Sequence, residues 1–303
     1  MWGAGTIGQG VARRLVMEPH VSELHWINRD PKVEGFVHDL KHGLMFSPSC
    51  HEVRSYRTKD SDFARARIAT QRSELVILTL GKPVPEGGTR ADLYPGNRAL
   101  FRELVIPALS GFGGIVLVVS NPVELLARLV QREGELEARR VIGLGTLVET
   151  ARARAALADH LSPARPARDI ELAAVGTHDE HAVLQPLSDF GLDDAERDTI
   201  LEAVRKEMIN GAKRVKKNAL ATQHPIVEAA AAVIRAVAND AHALLPVASL
   251  APDDPDGLYW SVPCIVSARG IIGQRPELLT PAVVTAMAPG VQAMRRVLQS
   301  HPN

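Results

Sequence analysis

Short runs of consecutive apolar residues alternate along the chain with longer stretches in which apolar positions recur every three or four residues. ELHWIN (23–28), ELVILTL (74–80) and GIVLVVSNP (114–122) end in polar or glycine-containing segments, as strands buried on both faces of a parallel sheet do. Between them, residues 8–17, 32–43, 98–109 and 123–133 carry helical spacing. This alternation predicts a doubly wound parallel sheet over the first half of the chain. GKPVPEGGTR (81–90) interrupts it with two prolines and three glycines, a composition for a mobile loop. After Gly145 the pattern changes. A helix is expected from near Leu147, a strand in IELAAVGTH (170–178), a long helix over 193–217, an Ala-rich helix over 225–245 and a hairpin in LYWSVPCIVSARGI (258–271). The expected division is 1–145 for a nucleotide-binding α/β domain and 146–303 for an α+β substrate and catalytic domain.

Composition narrows the classes without naming one. At 303 residues the chain can bury a sizeable core. Lys+Arg and Asp+Glu both total 35, a balance that favours neither nucleic acid nor an anionic membrane as partner. Cys50 and Cys264 are too few for a disulfide framework and fit a reducing cytoplasm. The apolar run 115–119 is strand-sized, and no run approaches membrane-spanning length. His178-Asp179-Glu180-His181 invites a metal reading, but its spacing fits neither H-E-x-x-H nor H-x-x-E-H, so no metal is expected.

The chain opens MWGAGTIGQG, and Gly3-x-Gly5-x-x-Gly8 has the spacing of a phosphate-cradling loop that leads into a helix. Glycines there let backbone approach a pyrophosphate, which rests on the helix N-terminus. In such a Rossmann unit the last residue of the second strand selects the cofactor, an acid accepting from the ribose hydroxyls and repelling a 2′-phosphate. Here Asn28 is followed by Arg29. The lost carboxylate and the adjacent guanidinium suit NADP. Equally, Arg29 can pair with Asp30 while Asn28 bonds a ribose hydroxyl of NAD, and both readings stay open. Only Met1 and Trp2 precede the loop, so the sheet is expected to lack its first, central strand. The expectation is a natural chain that starts several residues upstream and a shorter version that is destabilised.

GAGTIGQG, DLKHG (39–43), GGTRADL (87–93), NRALFRELVIPAL (97–109), VVSNPVELL (118–126), VIGLGTLVETARARAAL (141–157), VGTH (175–178) and SVPCIV (261–266) follow one another in an order and spacing that resembles the L-lactate/malate dehydrogenase family. The resemblance implies hydride transfer between a nicotinamide cofactor and a small 2-hydroxy or 2-oxo acid, in a homodimer or homotetramer. It implies that His178 is the acid/base, that Arg152 holds the substrate carboxylate, and that Arg90 polarises the carbonyl once a lid over residues 81–95 closes. It places Asn121 at substrate and carboxamide, and Thr222 and Val84 at the substrate pocket. It places Gly3, Gly5, Thr6, Ile7, Gly8, Asn28, Arg29, Gly81, Asn97, Val119 and Ile226 at the cofactor.

Three departures qualify the resemblance. The carboxylate that orients the histidine is normally aspartate three residues before the arginine; here it is Glu149, on the same helix face as Arg152, with an extra methylene to absorb. The histidine is flanked by Thr177 and Asp179, and a nearby Asp179 would favour its protonated form. Six residues before Arg90 stands Val84, where malate enzymes carry an arginine and lactate-type enzymes a glutamine. An apolar Val84 disfavours a second substrate carboxylate and suits a hydrophobic side chain. The alternatives are a malate dehydrogenase, or a catalytically impaired relative that only binds nucleotide. Cys264 is read as buried filler.

Overall fold

The computed structural model describes residues 1–84, 88–161, 165–219 and 222–301. Its strands are β1 (Glu23–Asn28), β2 (Glu52–Arg57), β3 (Leu75–Leu78), β4 (Ile115–Val118), β5 (Val141–Gly143), β6 (Leu172–Val175), β7 (Val183–Pro186), β8 (Ala243–Leu250), β9 (Tyr259–Ser267) and β10 (Gly270–Gln274). The helices of the first half are α1 (Thr6–Leu15), α2 (Lys32–Gly43), α3 (Asp60–Arg72), α4 (Tyr94–Leu100), α5 (Ile106–Leu109) and α6 (Val123–Glu133). Those of the second half are α7 (Leu147–Ala158), α8 (Asp194–Ala219), α9 (His224–Ala238) and α10 (Pro281–Ser300).

β1 and β2 pair in parallel, as do β3, β4 and β5, and the antiparallel β8, β9 and β10 extend the same sheet beyond β5. One face is covered by Val11 of α1, Val33 and Val37 of α2, and Val233 and Ile234 of α9. The other is covered by Phe101, Leu104 and Leu109, by Leu125 and Leu126 of α6, and by Val291 and Met294 of α10. β6 and β7 form a separate antiparallel pair that packs with Leu157 of α7 and Val204 and Met208 of α8.

Two elements differ from the sequence expectation. The Ala-rich helix stops at Ala238, because Asp240 and His242 take positive φ, and Ala243–Leu250 becomes β8, paired along its length with β9. The helix expected over 98–109 opens into a π turn at Phe101–Val105, where Pro107 offers no N–H to the carbonyl four residues back.

The first residues of the chain run between β1 and β3. Trp2 bridges Ile27 and Leu78, donating N–H to the Ile77 carbonyl at 2.8 Å and accepting from Thr79 N–H at 2.8 Å. The indole is 1% exposed and donates to Thr70 Oγ1. Met1 borders a cleft of about 710 Å³ lined by Leu15, Leu24 and Ile77 together with the polar His20, Glu23 and Arg72. The Met1 amine donates to the His25 carbonyl at 2.6 Å, and burial pushes its pKa down to about 5.

Candidate active site

The sharp turn before α7 is built for close approach. Gly145 has φ +55°, and a Cβ there would meet Ser261 Oγ at 2.1 Å. Ser261 Oγ instead accepts from Thr146 N–H, and Thr146 Oγ1 donates to the Ala174 carbonyl, fastening the start of α7 to β6. At the end of β6, Gly176 and Ser261 of β9 exchange N–H···O bonds of 2.8 Å each. The next two residues are Thr177 and His178.

His178 Nδ1 lies 2.7 Å from Glu149 Oε2, and Glu149 Oε1 accepts from Arg152 at 3.2 Å. These side chains are 11%, 6% and 17% exposed respectively. Burial pushes the Glu149 carboxyl up, but His178, Arg152 and Arg90 outweigh it and hold the pKa below the usual glutamate value. Glu149 is therefore a carboxylate that can only accept, so Nδ1 carries a hydrogen and Nε2 is left to exchange a proton. The longer side chain is absorbed without loss of either contact. Burial lowers the pKa of Arg152, with Glu149 opposing it.

Arg90 reaches the same place from the lid, donating to the His178 carbonyl at 2.8 Å. Residues 85–87 of the expected lid lie outside the described residues; Val84, before them, is 43% exposed. Asp179 does not touch the His178 ring as the sequence allowed. Its Oδ1 accepts from Thr177 Oγ1 and from His181 N–H, turning it into its own loop. Arg152 and Thr222 line a cavity of about 450 Å³ with Val215, His224 and Pro225. Thr222 Oγ1 is buried there without a hydrogen-bond partner. Ile226, in the first turn of α9, packs against the core, and α9 is pinned to α1 through Arg14–Glu228 at 3.0 Å.

The glycine loop fits a dinucleotide. Gly3 has φ +105°, and a Cβ there would strike Leu80 N at 2.5 Å; one at Gly8 would strike the Gly3 carbonyl at 2.3 Å. Over Gly5 nothing lies within 4 Å of such a Cβ. Thr6 and Ile7 open α1, which has no side-chain cap and no acid in its first turn, so its N–H groups suit a pyrophosphate. Asn28 spends both ends of its amide locally, accepting from Ala4 N–H and donating to the Asp30 carbonyl. Arg29 pairs with Glu103 at 3.4 Å, while Asp30 pairs with Lys32. Asn97 accepts from Lys82 N–H, beside Gly81, and donates to the Asn121 carbonyl, so it joins the loops after β3 and β4. Val119 opens the second of these loops, its N–H bonded to the Leu78 carbonyl.

One residue of the site carried no signal in the sequence reading. Glu124, in the first turn of α6, is 5% exposed, and its Oε1 accepts from His178 N–H at 2.7 Å. An acid in a first helical turn has an ordinary explanation in the helix dipole, so the motif SNPVE does not single it out. Elsewhere, Cys264 is buried and its thiol is pushed up to about 12 by burial. Among the described residues no group of His, Cys, Asp and Glu could hold a metal ion, and no helix is long and apolar enough to cross a membrane.

The sequence model for the lactate/malate dehydrogenase NAD binding domain matches residues 1–143. L-lactate dehydrogenase 1 of Lactococcus lactis subsp. cremoris is 32% identical over 290 residues, spanning 89% of this chain and 84% of that protein. L-lactate dehydrogenase of Staphylococcus saprophyticus is 28% identical over 283 residues, spanning 89% and 86%. Among solved structures, the ligand-bound minor L-lactate dehydrogenase of Enterococcus mundtii superposes with a TM-score of 0.87 at 26% identity, over 99% of this chain and 97% of that one.

Proposed function

The chain belongs to the lactate/malate dehydrogenase family, and on that premise we propose that it is an NAD-linked, lactate-type L-2-hydroxyacid dehydrogenase. It transfers a hydride between a nicotinamide cofactor and a lactate-like 2-hydroxy or 2-oxo acid. The observation that carries the reading is the 2.7 Å bond from His178 Nδ1 to an ionised Glu149 that also binds Arg152. The proposed division remains 1–145 and 146–303, supported by a nucleotide-domain match that ends at β5. The proposed working form is a cytoplasmic homodimer or homotetramer.

When bound, the dinucleotide would supply or receive the hydride. Gly5, Thr6 and Ile7 would hold its pyrophosphate, Asn28 its ribose, Val119 and Asn121 its carboxamide, and Ile226 its ring face. His178 would deliver a proton from Nε2 to the ketone oxygen as negative charge develops there, and take it back in oxidation. Glu149 stabilises the imidazolium and fixes the ring. Arg152 offers a planar fork to the substrate carboxylate, and Arg90 a second cation at the carbonyl. Val84 gives a second substrate carboxylate no partner, which weighs against malate. Because Glu149 reaches both of its partners, the impaired-relative reading loses its main support.

For the cofactor, we propose that NAD is preferred. A 2′-phosphate would have to draw Arg29 away from Glu103, and Asn28 is engaged in bracing the loop. Steady-state assays with pyruvate, 2-oxobutyrate, 2-oxoisocaproate and oxaloacetate, each with NADH and NADPH, test both points. A monocarboxylic acid with NADH should be reduced fastest. Oxaloacetate as the best substrate would overturn the Val84 argument, and faster turnover with NADPH the cofactor argument.

A further inference from the structure

We propose that Glu124 is a positioning residue that locks the proton donor to the loop on the cofactor side. The inference rests on the dehydrogenase reading above. Glu124 stands three residues after Asn121 and is carried by α6, an element of the nucleotide-binding half. His178 is carried by the loop after β6, in the other half. The 2.7 Å bond from His178 N–H to Glu124 Oε1 joins them directly. Asn97 holds the other end of the segment, donating to the Asn121 carbonyl at 2.7 Å. Hydride and proton transfer need two seats at a fixed separation, and an error of about 1 Å costs about a hundredfold in rate. The segment 121–124 spans both.

The site spends energy on this contact. Burial raises the Glu124 carboxyl pKa above the ordinary glutamate value, with His178 and the backbone N–H bonds opposing it only in part. A carboxylate accepting a backbone N–H in a dry site is a strong bond, and leaving that N–H unmet would free the His178 backbone to shift. His178 is thus held twice, at the ring by Glu149 and at the backbone by Glu124. Asp179 faces Glu124 with like charge, and Arg90 and Arg152 complete the charged groups around the histidine.

The test compares Glu124→Ala and Glu124→Gln with the unaltered enzyme, using NADH and pyruvate, with rates divided by the number of NADH-binding sites. Glu124→Ala should lower kcat at least about tenfold while KM for pyruvate and Kd for NADH change little. Glu124→Gln keeps an acceptor oxygen and should restore most of kcat. Replacing the carboxyl with an amide should move the alkaline limb of the kcat–pH profile to lower pH, which a merely structural residue would not do. If Glu124→Ala does not fold, the Gln variant's limb decides. Variants that match the unaltered enzyme in kcat per site and in pH profile would overturn the proposal while leaving the dehydrogenase reading intact. An unaltered enzyme that reduces no 2-oxo acid would instead overturn that reading.

Discussion

Replacing His178 with asparagine should lower kcat for 2-oxo acid reduction by about 10²- to 10⁴-fold, the usual worth of a general acid. Asparagine is the informative choice because its amide can still donate to Glu149 Oε2, as imidazole Nδ1 does at 2.7 Å. The buried carboxylate keeps that partner, so the fold and the Arg152 contact survive, and what disappears is the proton at Nε2. Binding of NADH, followed by fluorescence, should be unchanged because His178 lies outside the glycine loop. The pH dependence gives a second signature. In the unaltered enzyme reduction consumes the proton delivered from Nε2 and should weaken toward alkaline pH, while oxidation, which releases it, should strengthen. Glu149 contributes no competing limb near neutrality, since His178, Arg152 and Arg90 hold its pKa below the ordinary glutamate value against burial. The variant should lose the alkaline limb along with the rate. A kcat within tenfold of the unaltered enzyme would remove His178 from the chemistry.

How much of this arrangement can be read in the residues depends on whether local pattern or distant pairing decides each element. Helix α2 matches its periodicity to the residue, and α6 likewise, because their apolar stripes face one side of the sheet. β2 escapes notice: as an outer strand, EVRSYR mixes exposed charges with buried Val53 and Tyr56, and only pairing with β1 makes it extended. β8 reads as a continuation of the Ala-rich helix until its pairing with β9 overrides propensity. In α10, Pro289 and Gly290 obscure a helix, yet Gly290 is where Thr177 approaches, with Oγ1 2.3 Å from a would-be Cβ. The same division runs through the site. Glu149 and Arg152 lie three residues apart on one helix, so spacing places them together. Glu124 meets His178 across 54 positions of sequence, through one backbone N–H, and no spacing rule reports that. Trp2 is the extreme case, an isolated bridge residue outside the strands, set in place only by its two neighbours.

Arg152 carries the other large expected effect. It lines the 450 Å³ cavity together with Arg214 of α8 and His224 of α9, and Glu149 joins it to His178. Its own Nη1 is committed to Glu149 at 3.2 Å, which leaves the remaining guanidinium donors for a substrate carboxylate. Burial already lowers its pKa, so the charge is held in a partly dry place where a second carboxylate binds strongly. Truncating one partner of such a pair costs about 2–5 kcal/mol, which corresponds to roughly 30- to 5000-fold in kcat/KM. Arg152→Gln should therefore lower kcat/KM for pyruvate within that range, mainly through KM. Arg152→Lys should fall between, because an ammonium keeps the charge but cannot offer two parallel N–H bonds. Glu149 loses a partner in the Gln variant, so its carboxyl pKa should rise, the stability that its low pKa contributes near neutral pH should shrink, and the variant should lose less of its remaining stability than the unaltered enzyme as pH falls through the glutamate range. Thermal unfolding against pH measures that second effect separately from turnover. An unchanged KM for pyruvate in Arg152→Gln would mean that Arg152 does not hold the carboxylate, and Arg214, which lines the same cavity, would be the next residue to replace.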